Sequence, residues 1–326
     1  MSSLPIALDA MGGDKAPDAI VRGALQYRGS VVLVGRGASL RGLAPDLPVL
    51  EASQVVEMAD KASAVLRSKP DASINVAIRA VAEQRAAAVV SCGNSGAVMI
   101  SAIKGLGLLT RVERPALVTV VPRADGGEAV LLDLGANVDC KPEMLAQFAV
   151  MGEAYARCVL GLQRPRVGLI SNGEERNKGN AQVRAALPLL EELPLNFVGP
   201  IEPYDAFHGA ADVVVCDGFV GNVMLKTVEA TVDVSVNLMQ REIARMPHWR
   251  LGAHFMRSAL RRFRLRTNSS AYGGGQLLGV KGVVVVGHGR SDADAVEAAL
   301  KVAQRCDEQG VVGVVSQALS DWGLPR

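Results

Sequence analysis

The sequence predicts an α/β protein built on a mainly parallel, doubly wound sheet. Three observations point there. Hydrophobic residues make up 49% of the 326-residue chain while aromatics are only 4%, so the core is Val, Leu, Ile and Ala, the mixture of parallel strands covered by small-residue helices. Short apolar runs alternate with stretches of helical period, the mark of βαβ crossovers. Many of the 34 glycines cluster just after apolar runs, where α/β proteins carry their functional turns.

Taken in order, the strand expectations begin with 4–9 (LPIALD), an apolar run closed by an aspartate, and 31–35 (VVLVG), closed by glycine. A helix is expected over 72–86, then a strand at 88–92 (AVVSC) running through a glycine turn into an apolar helix. The runs 116–121 (ALVTVV) and 129–134 (AVLLDL) are joined by PRADGGE, whose Asp-Gly-Gly is turn chemistry, so this pair reads as a hairpin. Next come a helix at 143–159, a strand at 167–171 (VGLIS), a helix at 181–192, and strands at 196–199 (NFVG) and 212–216 (DVVVC). A helix over 220–246, a strand at 283–287 (VVVVG) and a helix at 292–307 complete the pattern. With no repeat and no low-complexity linker, one α/β domain over 1–326 is expected. Residues at about 236–268 are expected to form a helical excursion from it.

That excursion concentrates charge. Net charge is +2, yet the span from Arg241 to Arg266 holds eight arginines against Glu242, leaving −5 for the remainder. Trp249, Met256, Leu260 and Phe263 fall near one helical face and Arg250, Arg257, Arg261 and Arg264 on the rest. Three readings stay open: an anionic membrane surface, an acidic protein partner, or an interface between two copies. Stacking aromatics are not interleaved with the arginines, which disfavours nucleic acid.

Several chemistries lack their mark. The turn AMGGD after the first strand is not G-x-G-x-x-G, VGRGASLRG has the wrong spacing, and no GK[ST] occurs, so neither dinucleotide nor P-loop binding is supported. No G-x-S-x-G elbow is present. The four histidines show no metal spacing, and the five cysteines (92, 140, 158, 216, 306) form no CxxC pair. That cysteine usage, with no run of 18 apolar residues and no basic leader in MSSLPIALD, predicts a reducing, cytoplasmic setting.

What remains is a set of polar glycine turns: DAMGGD (9–14), SCGNSGA (91–97), LDLGANVD (132–139), SNGEERNKGN (171–180), CDGFVGN (216–222), YGGGQLLG (272–279) and GHGRSD (287–292). A glycine turn entering a helix offers backbone amides and a positive dipole end, which suit a phosphate or another anion. Any one such turn is equally an ordinary helix cap with a positive-φ glycine. Together, expected on one sheet edge, they describe an anion-binding α/β enzyme.

The blocks ALDAMGGDKAP, SCGNSGAVM, LLDLGANVDCKPEMLAQFAVMG, GEERNKGN, ADVVVCDGFVGNVMLKTVE and YGGGQLLGVKGVVVVGHGRSDA closely resemble the phosphate acyltransferase (PlsX) family of bacterial phospholipid synthesis. They follow in collinear order from about residue 5 to residue 305. The family's usual GNTGA is GNSGA here (93–97), keeping a hydroxyl at Ser95, while NIGEE is SNGEE (171–175) and YGGAPLLG is YGGGQLLG. The resemblance implies a Rossmann-like, three-layer α/β/α sandwich similar to isopropylmalate dehydrogenases and phosphotransacetylases, and a homodimer. It implies acyl transfer from acyl carrier protein thioester to inorganic phosphate, with no metal or nucleotide cofactor. The resemblance also implies that the acyl phosphate passes to a membrane glycerol-3-phosphate acyltransferase, and that peripheral contact of the enzyme with the membrane is one expectation. The rival readings are a phosphotransacetylase-like exchange of short acyl groups between coenzyme A and phosphate, and a noncatalytic membrane scaffold for lipid-synthesis enzymes.

For that chemistry the phosphate contacts expected are Asn94, Ser95 and Lys178, with amides around Gly93 and Gly96. Asn180 and Asn222 are expected to donate to the thioester carbonyl, where negative charge builds. Asp9 is placed in the catalytic set as a group that orients Lys178 or nearby amides, or caps the helix near Pro17, as Asp14 also could. Gly12, Gly13, Asp133, Asn137, Glu174, Asp217, Gly218 and His288 complete the expected substrate-binding turns.

Overall fold

A computed structural model describes residues 4–245 and 274–322 of the chain. The expected excursion is therefore seen only to Arg245, and its arginine-rich part at 246–268 lies outside the described residues.

The strands are β1 (Ile6–Asp9), β2 (Val31–Gly35), β3 (Val49–Glu51), β4 (Ala88–Ser91), β5 (Ala116–Pro122), β6 (Glu128–Leu132), β7 (Arg166–Ile170), β8 (Asn196–Ile201), β9 (Val213–Val215), β10 (Gly275–Leu278) and β11 (Val283–Val286). They form one sheet in the order β3-β2-β1-β4-β11-β10-β5-β6-β9-β7-β8. The helices are α1 (Asp18–Gln26), α2 (Gly37–Leu43), α3 (Ala62–Ser68), α4 (Ser73–Ala82), α5 (Ser95–Gly105), α6 (Pro142–Leu160), α7 (Ala181–Glu192), α8 (Pro203–His208), α9 (Gly218–Arg245), α10 (Ala293–Glu308) and α11 (Val311–Asp321).

Strand alternation sorts the core into layers, because successive side chains point to opposite faces. One face carries Ile6, Leu8, Leu33, Val90, Leu132, Leu169 and Val215, packed with residues of α1, α6, α7, α10 and α11. The other carries Ala7, Val34 and Val89 against α4 and α5. Further along it, Leu131, Ile170 and Val214 pack with Ala206 and Met224. The three-layer α/β/α expectation holds. So does the hairpin: β5 and β6 pair antiparallel from Val118↔Leu132 to Pro122↔Glu128.

One expectation fails. β10 runs antiparallel to both β11 and β5, and β5 is antiparallel to β6. The parallel block β6, β9, β7, β8 therefore runs in the opposite sense to the block β3, β2, β1, β4, β11. The glycine turns do not share one sheet edge: those after β1, β4 and β11 sit at one end of the ladder, those after β6, β9 and β7 at the other. β10, antiparallel to both neighbours, leaves β5 in the same sense as β11, and the β5–β6 hairpin then turns the second block over. β10 itself is concealed by the glycine-rich run YGGGQLLG, since glycine is depleted in strands.

Candidate active site

At the first end, β1 and β4 pair in parallel with Asp9 opposite Ser91. The register puts the two side chains side by side, and the Ser91 hydroxyl donates to Asp9 Oδ2 at 2.7 Å. Ser91 Oγ in turn accepts from the Gly93 amide at 3.2 Å. The Met11 amide donates to Asp9 Oδ1 at 3.3 Å, and the Ser73 hydroxyl and Gly12 amide also hydrogen-bond the carboxyl. Burial pushes the Asp9 carboxyl above the usual carboxylate range, and these hydrogen bonds oppose that rise. Gly12 has to be glycine: a Cβ there would lie 2.7 Å from Asp9 Oδ2 and 2.8 Å from the Gly93 nitrogen. A cavity of about 10 Å³, room for roughly one water, is bounded by Asp9, Gly12, Ser73, Ser91, Gly93 and Asn94.

Gly13, at φ +109°, turns the chain so that the Asp14 amide donates to Gly289 O at 2.8 Å. His288, beside it, is exposed, and its Nδ1 accepts from the Arg290 amide at 3.4 Å. The expected capping role of Asp9 and Asp14 is not found: α1 follows Pro17 without a side-chain cap.

Asn94 is the N-cap of α5, its Oδ1 accepting from the Ala97 amide at 3.1 Å. Its Nδ2 donates to Met58 O at 3.0 Å and Asp60 O at 3.2 Å. Both amide protons are thus spent on the 53–61 loop, so the Asn94 side chain is not the phosphate donor expected of it. Ser95 is exposed, and the first-turn amides of Ser95 and Gly96 have no partner among the described residues.

The other end is organised by Asp133, which is fully buried just after β6. Its Oδ1 accepts from the amides of Leu117 (2.9 Å), Gly135 (3.3 Å) and Ala136 (3.1 Å). Its Oδ2 accepts from Asn137 N (2.7 Å) and Asn137 Nδ2 (2.9 Å). Burial raises this carboxyl too, against the pull of those donors. The Gly218 amide donates to Asn137 O at 2.8 Å, and Asp217 Oδ1 accepts from the Val220 amide at 2.8 Å, capping α9. Asn222, one turn into α9, faces Gly135: a Cβ on that glycine would be 3.6 Å from Asn222 Cβ and Cγ.

The third turn follows β7. Asn172 Oδ1 accepts from the Gly179 amide at 2.8 Å, and Asn180 Oδ1 accepts from the Val183 amide at 2.9 Å, capping α7. Glu174 and Lys178 are exposed, and Lys178 makes no ion pair among the described residues. Within this turn Ser171 Oγ and Gln182 Nε2 are buried without a hydrogen-bond partner.

Lys178 was expected to share one anion with Asn94 and Ser95 and to be oriented by Asp9. Strands β4 and β7 stand six positions apart, roughly 29 Å at the usual strand spacing, and no described hydrogen bond or ion pair links the two groups. Asp9 instead holds the Gly12 and Gly93 turns.

The thiols near both ends are held neutral. Burial raises Cys92 to about 11 and Cys140 to about 12, and lifts Cys216 well above the usual thiol value. Nucleophilic thiols have the opposite shift. Among the described residues no group of His, Cys, Asp or Glu is arranged to hold a metal ion.

Ser73, Ser91, Ser171 and Gln182 are the site residues that the sequence did not single out. Ser91 was reachable, since it ends a strand in register with the one ending at Asp9. Ser73 arrives from a distant helix and left no local signal.

Residues 4–313 match the family described as Fatty acid synthesis protein. The chain belongs to that family. Curated relatives of the chain are named phosphate acyltransferase. The one from Desulforudis audaxviator (strain MP104C) is 45% identical over 323 residues, covering 97% of this chain and 96% of the relative. The one from Heliobacterium modesticaldum (strain ATCC 51547 / Ice1) is 43% identical over 324 residues, 96% of each. The family and the enzyme class expected from the sequence blocks, a phosphate acyltransferase, are both borne out by these relatives. Among solved structures, a branched-chain phosphotransacylase from Enterococcus faecalis V583 matches with a TM-score of 0.58 at 16% identity, covering 93% of this chain and 99% of that one. A 4-hydroxythreonine-4-phosphate dehydrogenase from Klebsiella pneumoniae matches with a TM-score of 0.55 at 15% identity, covering 94% and 98%. Both are likenesses of fold, and they agree with the α/β/α expectation.

Proposed function

We propose that this phosphate acyltransferase moves a fatty acyl group from the thioester of acyl carrier protein to inorganic phosphate by direct attack. The observation that carries the reading is kinship over nearly the whole chain with phosphate acyltransferases. The raised, buried thiols of Cys92 and Cys216 support the direct route, because neither is poised to take the acyl group itself. A phosphate oxygen forms the new C–O bond, the C–S bond breaks, and the carrier thiolate leaves with the electron pair. Phosphate at neutral pH is already anionic, so the protein's task is placement and stabilisation of the carbonyl oxygen.

In this reading phosphate stands at the start of α5, on the Ser95 and Gly96 amides and the Ser95 hydroxyl. Asp9 is a positioning residue: its enclosed carboxyl acts through Ser91 and Gly93. Lys178, Asn180 and Asn222, on the β7 and β9 ends at the far end of the sheet, serve the carrier side of the acyl donor, away from the reacting carbonyl. The exposed apolar face of α9, including Phe219, Val223, Val234 and Leu238, is the proposed dimer surface. The basic segment 246–268 is the proposed peripheral contact with an anionic membrane, from which the product reaches a glycerol-3-phosphate acyltransferase. No helix among the described residues is long and apolar enough to cross a membrane.

The test is incubation of the purified protein with acyl-carrier thioester, with and without phosphate, trapping acyl phosphate with hydroxylamine. Thiol release that requires phosphate, faster with the carrier thioester than with a coenzyme A thioester, is the expected result. Thiol release independent of phosphate would overturn the reading.

A further inference from the structure

The 53–61 loop lies across the start of α5, and a chain of polar side chains from the helix layer holds it there. At its tip, Met58 O and Asp60 O accept from Asn94 Nδ2 at 3.0 and 3.2 Å. Where the loop enters α3, Ala62 Cβ lies 3.1 Å from where a Cβ on Gly96 would be. Met58 Cε reaches the turn after β11, 3.2 Å from where a Cβ on Gly289 would be. The loop therefore borders the Ser95 and Gly96 amides, which have no partner among the described residues.

One cation underlies this placement. Lys69, in the turn between α3 and α4, donates from Nζ to Asp60 Oδ2 at 2.5 Å and to Val55 O at 2.8 Å. The same Asp60 oxygen accepts from the Glu57 amide at 2.8 Å, so the carboxylate closes the loop tip on itself. The Lys69 hydrogen bond is the largest influence holding the Asp60 carboxyl below its ordinary range. Lys69 is fixed from behind: its carbonyl accepts from Asn75 Nδ2 at 2.9 Å, and Asn75 Oδ1 accepts from the Ser101 hydroxyl at 2.7 Å. Asn75 is 9% exposed and Ser101 1%, and Ser101 belongs to α5 itself. The path is a closed ring, from α5 to α4 through Ser101 and Asn75, to the loop through Lys69, and back to α5 through Asn94. Such a ring fixes the Asn94 amide, with Oδ1 on the Ala97 amide and Nδ2 on the loop. The cap in turn sets where the first-turn amides point.

We infer that Lys69 is a positioning residue of the phosphate site, acting through the 53–61 loop and Asn94 on the Ser95 and Gly96 amides. The inference rests on the reading that stands inorganic phosphate at the start of α5. Lys69 touches neither substrate nor the reacting atoms, since its ammonium is held by Asp60 and Val55. Without it the loop tip is released from the turn before α4, Asn94 Nδ2 loses its fixed acceptors, and the α5 cap is free to turn. Phosphate binding weakens as a result, and far more than binding of the acyl donor. The Lys69 and Asp60 side chains keep 28% and 31% of their surface exposed, so water replaces the lost pair and folding survives its removal.

The experiment compares the full wild-type chain with Lys69→Met, Lys69→Arg, Asp60→Asn and Ser95→Ala, each checked for folding by its urea midpoint. Steady-state KM is measured for inorganic phosphate and for acyl-carrier thioester, and ³¹P NMR gives the Kd of inorganic phosphate independently of turnover. In Lys69→Met, phosphate KM and Kd rise at least tenfold while donor KM stays within threefold, and Asp60→Asn moves the same way. Lys69→Arg, which keeps a cation able to reach two oxygens, stays within threefold of wild type. Ser95→Ala reports on the site itself. A raised phosphate Kd in Ser95→Ala with an unchanged one in folded Lys69→Met overturns the inference and leaves the phosphate site standing. If neither variant moves it, phosphate binds elsewhere and both fall. Equal rises of both KM values in Lys69→Met, with a lowered urea midpoint, assign Lys69 to the fold alone and overturn the inference as well. A wild-type chain that makes no acyl phosphate, with ³¹P binding lost in Lys69→Met, overturns the acyltransferase reading and leaves Lys69 in its role.

Discussion

Asp9 and Asp133 occupy equivalent places, each a carboxyl buried where a parallel strand enters a glycine turn, yet they are satisfied differently. Asp133 gathers four main-chain amides and the Asn137 side chain, so it shapes its own loop and pins it to Leu117 of β5. Asp9 relies on hydroxyls brought from elsewhere, Ser91 on β4 and Ser73 on α4, and so ties three elements together. A third turn, after β7, has orphaned donors in place of a buried acid. The contrast separates turns whose buried polar groups are satisfied within the fold from one that leaves two of them without a hydrogen-bond partner. Neither buried acid has a cation beside it among the described residues, and burial raises both against the pull of their hydrogen-bond donors.

The largest effect expected from breaking this comparison is at Asp133. Asp133→Ala strands up to five N–H donors, and a loss of about 3 kcal/mol or more should appear as a lower urea midpoint. A loss under about 1 kcal/mol would show that water replaces the carboxyl.

Asp212 sharpens the comparison as a carboxylate of the opposite kind. Burial alone would raise it, but Arg166 at 2.9 and 3.0 Å and Arg123 at 2.6 Å outweigh that and hold it at about 2. Its folded value lies below the ordinary 3.8, so its stabilisation is present above about pH 4 and lost as pH falls through about 2. Asp212→Asn should cost on the order of 2 kcal/mol at pH 7 and flatten thermal stability between pH 4 and 2. Asp9 and Asp133 contribute with the reverse sign: their share is full below the ordinary carboxylate value and is lost as pH rises through their raised folded values.

The smallest change in stability belongs to Asp9→Asn, which keeps the side chain's shape and one acceptor oxygen. Its stability should shift by less than about 1 kcal/mol, while kcat falls roughly tenfold, about 1.4 kcal/mol of barrier, because the Gly93 turn loses its hold. An undisturbed kcat would reduce Asp9 to a purely structural group.

Most of the helices and the β5–β6 hairpin were legible in the sequence, because long periodic segments and Asp-Gly-Gly act locally. The helix expected at 181–192 is observed as Ala181–Glu192. What escaped was set by pairing. β3, three residues long, has no periodicity to read. β10 hid in glycines, and the strand order that sets the β5–β6 hairpin between two parallel blocks, and so splits the glycine turns between two ends of the sheet, left no local signal. The same gap misplaced Lys178: its loop was recognised, but the strand order that removes it from Asn94 and Ser95 is a long-range property. Asn94 looked like a ligand group because a helix cap and an anion contact use the same residue in the same position.

Direct attack without an acyl-enzyme is tested most directly by rapid mixing with acyl-carrier thioester, acid quench and intact-mass analysis of the chain. Turnover in phosphate with no acylated chain at any time point, together with ¹⁸O from labelled phosphate retained in the acyl phosphate bridge, is the result expected. A chain heavier by one acyl group, formed before phosphate is added and discharged by it, would contradict the account.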